Sequence, residues 1–204
     1  MSLKGSQTRA SYLPWDEAQS LIQRLFTDEK YIWGVLVAIG IYTGLRISDI
    51  LTLRWNQVYA NDYVTIKEKK TSKIRKIKIH PNLKDLLKSI YDTQFEHIPV
   101  NNYIFHNKFK KRLSRQYINR ILKQISTDYN VNAQNFTTHS FRKTFGRRIW
   151  EINNYSEKSL IMLNKIFNHT SIETTRIYLG IQEEEIDSAY DSLDKIYLND
   201  RFSS

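Results

Sequence analysis

The chain has 204 residues, 41% hydrophobic and 25% charged, with 31 Lys and Arg against 21 Asp and Glu for a formal net charge of +10. This is an ordinary globular composition, long enough for one well-buried core, and its sign favours polyanionic partners such as nucleic acid or an acidic membrane surface. The lack of cysteine excludes disulfides and Cys-based zinc sites, and the longest apolar run, Tyr31–Tyr42, is well short of the roughly 18 residues a spanning helix needs.

Residues 1–10 read as a flexible lead-in or a cloning remnant, as expected for a piece of a longer protein. Without a basic, apolar, small-residue leader, a cytoplasmic location is expected. Pro14 suits a first helical position, Asp16 and Glu17 fill a first turn, and Leu21, Ile22, Leu25 and Phe26 form one apolar stripe, so a helix begins here. A second, more apolar helix spans about Lys30 to Thr43; Gly44 supplies a left-handed stop, and Arg46 to Leu53 restarts as a short helix. Next, Tyr63–Ile66 and Ile74–Ile79 are β-branched segments flanking the basic loop Lys67–Lys73, which predicts an antiparallel sheet of two or three strands. Helices follow over about Pro81–Thr93, Ser114–Asp128, His139–Trp150, Ser156–Phe167, Ile172–Tyr178 and Glu183–Leu198. The fold class is therefore mainly α with a small antiparallel β-sheet (α+β), in one domain from about residue 11 to 198.

The charge is unevenly placed. Residues 67 to 123 hold 16 Lys or Arg and 4 Asp or Glu, a net +12, whereas 178 to 204 hold seven acidic and two basic residues, a net −5. A single run of this kind is usually a solvated face, but the concentration in one segment favours a polyanion footprint.

Two local patterns can carry chemistry. In Thr43-Gly44-Leu45-Arg46-Ile47-Ser48-Asp49-Ile50 a glycine corner presents a guanidinium, with Asp49 three residues on as its expected carboxylate support. In His139-Ser140-Phe141-Arg142 the i, i+3 spacing lets His139 and Arg142 converge on one oxyanion while Phe141 and Phe145 turn inward. No two of the five histidines fall at a helical zinc spacing, and no acidic set suits a two-metal nuclease, so neither metal nor cofactor is expected. Phosphodiester chemistry here would rest on Arg, Lys and His.

These motifs, with Lys70-Thr71, Asn168-His169 and Thr174-Thr175-Arg176-Ile177-Tyr178, resemble in order and spacing the catalytic domain of tyrosine recombinases, the phage integrase family, over about residues 11 to 198. The resemblance implies Mg²⁺-independent DNA strand exchange through a 3′-phosphotyrosine. It gives Arg46 and Arg142 the phosphate clamps, His139 the histidine of the His-x-x-Arg motif, Lys70 the acid on the strand turn, His169 the second histidine and Tyr178 the nucleophile. Asp49 would be a supporting group. The sequence departs from the family at Phe167-Asn168-His169, where Leu-Gly-His is usual, and Asn tolerates the left-handed backbone that glycine adopts there.

The resemblance also implies a catalytic part over 11–181, an amphipathic helix over 182–198 that docks in cis or in trans, and a tail over 199–204. The expected partners are double-stranded DNA, other protomers (a tetramer on paired sites, a monomer alone) and DNA-bending accessory proteins, with no membrane and a bacterial or phage source. Lys69, Lys73, Lys111 and Arg112 are expected phosphate contacts, and Arg115 and Gln116, at the start of the groove-entering helix, expected base contacts. Integration or excision of a mobile element is the leading expectation. The alternatives are a non-catalytic DNA-binding protein on the same scaffold and a type IB topoisomerase-like enzyme.

Overall fold

The computed structural model describes residues 10–70 and 72–193, apart from the side chains of Gln182 and Glu183. The chain divides after Tyr155 into two compact units. This division cuts the span that the sequence pattern reads as one domain.

In the first unit, α1 (Trp15–Thr27) buries Ala18, Leu21, Ile22 and Leu25, the predicted stripe, against α2 (Tyr31–Thr43). From Gly34 to Ile41 every residue of α2 is buried, as befits a central helix that is apolar on all sides. Gly40 lets α7 (Thr138–Ile152) approach closely: a Cβ there would lie 2.7 Å from the Phe141 Cβ. Leu13 is tied to α7 through Thr144, whose hydroxyl accepts from Leu13 N and donates to Leu13 O, both at 2.9 Å. The bulkiest fully buried side chains of this unit are Trp55, Phe105 and Phe141, each contributing on the order of 2–3 kcal/mol by leaving water.

The predicted Arg46–Leu53 helix is shorter, α3 (Ile47–Ile50), and a further helical turn, α4 (Trp55–Val58), follows it. The strands are β1 (Tyr63–Lys67) and β2 (Ile74–Lys78), paired antiparallel with Tyr63 opposite Lys78 and Lys67 opposite Ile74. Two strands form this sheet, and Val64 and Ile66 turn its inner face to the core. Helix α5 (Pro81–Ile90) has its proline at the first turn, then widens into a π-turn over Tyr91–Phe95 where α-helix was expected to continue. Helix α6 (Arg115–Asp128) is capped by Ser114, which accepts from Tyr117 N. Thr137 caps α7.

In the second unit, α8 (Glu157–Phe167) is capped by Ser156 and ends at Asn168, whose φ of 51° is the left-handed turn expected of it. Helix α9 (Ile172–Leu179) ends at Gly180. Helix α10 (Ile181–Asp191) follows at once and so begins earlier than the predicted Glu183. On the helix expected to be amphipathic, Ile186, Tyr190 and Leu193 are exposed, and residues beyond 193 lie outside those described. Arg176 draws α9 to α10 and α8 through Glu185 (2.8 Å) and Glu157 (3.6 Å).

Candidate active site

The first unit gathers its cations around the corner at Gly44. With φ at 59°, Gly44 turns the chain out of α2, and a Cβ there would meet the Phe145 ring at 2.5 Å. This turn places Arg46, the N-cap of α3, at the edge of the core with its guanidinium half-buried. One face of α7 brings Arg142 to the same corner, where Nη1 donates to the Gly44 carbonyl. Two guanidinium-bearing residues are thus rooted at one stretch of backbone.

Arg46 takes its support from a residue the sequence reading missed. Its Nη1 lies 3.2 Å from Glu68 Oε2, and Arg75 Nη1 lies 2.5 Å from Glu68 Oε1. Glu68 is 1% exposed, so one buried carboxylate holds two half-buried arginines, an arrangement that fixes each guanidinium in direction. The signal was available: Val64 and Ile66 on β1 and Glu68 one residue past its end keep the same alternation of buried positions, and an acid in such a buried series must be paired. Asp49 does something other than expected. Its Oδ1 accepts from Lys69 N at 3.0 Å and from Ser48 Oγ at 3.3 Å, fastening the β-turn to α3 instead of supporting Arg46.

That turn carries the lysines. Glu68 and Lys73 are joined by the bond from Glu68 N to Lys73 O, Ser72 N reaches Glu68 O, and Ser72 takes a left-handed φ of 57°. Lys69, Lys70 and Lys73 are all exposed here, with Lys70 on the turn itself. They form an exposed cationic fringe on the same turn.

His139 follows the first residue of α7 and keeps an exposed surface. Desolvation of its shielded side, reinforced by the charges of Arg115, Arg142 and Lys143, holds its pKa below the ordinary imidazole value. The shift favours the uncharged ring, which donates from one nitrogen and accepts at the other. The charge of Arg115, the first residue of α6, also acts on His139, and α6 meets the start of α7 where Asn119 Oδ1 accepts from Thr138 N at 3.3 Å. Gln116, next to it on α6, is exposed, as are Lys111 and Arg112; the Arg112 guanidinium lies 5.3 Å from the Tyr103 ring centre.

In the second unit His169 and Tyr178 sit together. Their ring centres are 5.2 Å apart, edge to face, and both pack on Phe167, at 5.3 and 5.6 Å. His169 Nδ1 pairs with the buried Thr175 hydroxyl at 3.0 Å. The Asn164 amide braces the turn by donating to Ser171 O at 2.6 Å and His169 O at 3.2 Å. Sequence reasoning did not single out Asn164 or Thr175 as supports. The six expected reacting positions therefore divide, with Arg46, Lys70, His139 and Arg142 in the first unit and His169 and Tyr178 in the second. Among the described residues no group of three or more His, Cys, Asp or Glu is arranged to hold a metal ion, and no helix is long and apolar enough to cross a membrane.

Comparison with known proteins settles the lineage. The model of the phage integrase family matches residues 11–185. The chain belongs to the phage integrase family. A probable integrase/recombinase of Bacillus subtilis, YoeC, is 32% identical over 176 residues, 86% of this chain and 91% of that protein. The tyrosine recombinase XerH of Campylobacter jejuni is 26% identical over 155 residues, 74% of this chain but 42% of that protein, and the chain spans about half the length of several other curated relatives. Among solved structures, the XerA recombinase gives a TM-score of 0.67 at 22% identity, covering 93% of this chain and 67% of that one. The Tn1549 transposon integrase in complex with transposon right end DNA gives 0.68 at 17% identity, covering 91% and 68%. The mostly helical fold with its two-stranded sheet is that of tyrosine recombinase catalytic domains.

Proposed function

We propose that this chain is the catalytic part of a site-specific DNA recombinase that cuts and rejoins strands by transesterification, serving the integration or excision of a mobile element. The observation that carries the reading is the pair of arginines brought to the Gly44 corner, one capping α3 and one bonded to the Gly44 carbonyl. Two guanidinium groups offset the charge that builds on the nonbridging phosphate oxygens in the transition state. His139, at the start of α7, adds a hydrogen bond to the same oxygens.

Tyr178 Oη attacks phosphorus, a P–Oη bond forms, the P–O5′ bond breaks, and a 3′-phosphotyrosine results. The departing 5′ oxygen takes a proton, for which Lys70 on the exposed turn is the assigned donor, and the tyrosyl proton leaves to solvent or a neighbouring base. His169, set against the Tyr178 ring and held by Thr175, orients the nucleophile. The reverse attack by a 5′ hydroxyl of another strand reseals the backbone, so bond energy is conserved and no nucleotide is consumed. The remaining assignments are duplex DNA as substrate, a tetramer on paired sites as the working assembly, and DNA-bending accessory proteins as helpers.

The test is to incubate the full gene product with a nicked suicide duplex of its native site in the presence of EDTA. The expected result is a covalent protein–DNA adduct that is absent for Tyr178→Phe, while the variant retains duplex binding. Wild-type protein that binds the site yet gives no adduct would leave a DNA-binding module without this chemistry.

A further inference from the structure

Between Glu96 and Asp128 the chain has no acidic residue, and it carries Lys108, Lys110, Lys111, Arg112, Arg115, Arg120 and Lys123. In the middle of this stretch Phe109 is 70% exposed. Single exposed apolar residues are common on protein surfaces, but this one is displayed by a built turn. Asn107 Oδ1 accepts from Phe109 N at 2.9 Å and from Lys111 N at 3.1 Å, Asn107 N donates to Lys111 O, and Lys110 N donates to Asn107 O, both at 2.8 Å. Lys110 is left-handed at φ 59°, and His106 pairs across the turn with Arg112. The base is anchored as well: the guanidinium groups of Arg54 and Arg112 both lie over the Tyr103 ring, 4.0 and 5.3 Å from its centre. A preorganised turn with four cations and one outward aromatic ring suits a surface that is anionic yet has apolar faces to receive a ring.

Duplex DNA and an anionic membrane both have that character. The acid-free stretch runs directly into α6, whose first residue, Arg115, acts electrostatically on His139, so the surface is continuous with the candidate active site. We infer that the 106–112 turn is a DNA-contact element in which Phe109 packs as an apolar wedge against a base step while Lys108, Lys110 and Lys111 hold the adjoining phosphates. This rests on the DNA reading above and adds to it a contact that does not depend on charge.

The experiment measures binding of the full gene product to a native-site duplex across a salt series, for wild type, Phe109→Ala, Phe109→Trp and Lys110→Gln. Melting of each variant checks folding, which an exposed position leaves intact. Removing a stacked ring weakens binding about 5- to 100-fold, and because no charge is lost the slope of log K against log salt stays that of wild type. Phe109→Trp retains binding, and Lys110→Gln lowers the slope by about 0.9. A 2-aminopurine at the wedged step brightens on binding wild type and not Phe109→Ala. Equal affinity of Phe109→Ala and wild type overturns the inference, as does a loss shared by Phe109→Trp with a reduced slope, which would make the ring a spacer for lysines. Wild type that ignores the duplex but binds vesicles rich in phosphatidylserine would overturn the DNA reading itself.

Discussion

Replacing Glu68 by Gln removes one negative charge from between Arg46 and Arg75 while preserving shape. The carboxylate is 1% exposed and its two oxygens lie 3.2 and 2.5 Å from the two guanidinium nitrogens. Breaking a buried ion pair by removing one partner costs about 3–5 kcal/mol. Both arginines keep about a fifth of their surface in water, 20% for Arg46 and 23% for Arg75, so solvent recovers part of that loss. Gln also turns an amide N–H₂ toward one guanidinium, donor against donor, so the net remains about 3 kcal/mol. In a chain of this size that corresponds to a fall in melting temperature of about 6–12 °C. Function separates from stability here. The local charge becomes more positive, so duplex binding holds or tightens, whereas Arg46 loses its fixed direction and adduct formation slows. Thermal unfolding together with filter binding and the suicide-substrate assay reads all three. A Glu68→Gln protein that melts within about 1 °C of wild type and cleaves at the same rate would refute the reasoning, because the carboxylate would then hold nothing.

Three further outcomes are expected. His139 has a folded pKa below its unfolded value of about 6.5, so the folded state disfavours protonation: stability is constant above that pH and declines as pH falls through 6.5 toward the depressed value. Melting curves at pH 7.5 and 5.5 show a smaller acid loss for His139→Gln than for wild type; an equal loss in both would remove His139 from the account. Gly40→Ala forces a Cβ to within 2.7 Å of the Phe141 Cβ and costs about 1–3 kcal/mol by overpacking; a urea midpoint unchanged from wild type would show that α2 and α7 do not need the close approach. Asn168→Ala, at φ 51°, costs about 1–2 kcal/mol for a left-handed alanine and reduces adduct yield through His169, while Asn168→Gly keeps both. Urea midpoints and adduct yields of the two variants decide that point.

Local features of the site were legible because local sequence determines them. A glycine stop after an apolar run is read within a few residues, and the structure ends α2 at a left-handed Gly44 with Arg46 directly before α3. Partner choice over longer separations was not legible. Glu68 reaches Arg46 across 22 residues only because the strand places it on the inward face, and nothing near Asp49 in sequence says that it will bond Lys69 N and not the arginine three residues before it. The boundary at Tyr155 was hidden for a related reason. Helical periodicity resumes after a short interruption, and only the paired left-handed residues Asn154 and Tyr155, at φ 53° and 57°, mark where one unit ends.

The hydrogen bond from Arg142 to Gly44 uses a main-chain carbonyl, an atom that every amino acid supplies. No exchange of side-chain chemistry at position 44 can delete the acceptor; only a change in the direction of the peptide can. A substitution at that position therefore acts through shape and not through functional group, and a glycine that looks like mere punctuation is the acceptor that orients an arginine 98 residues further on.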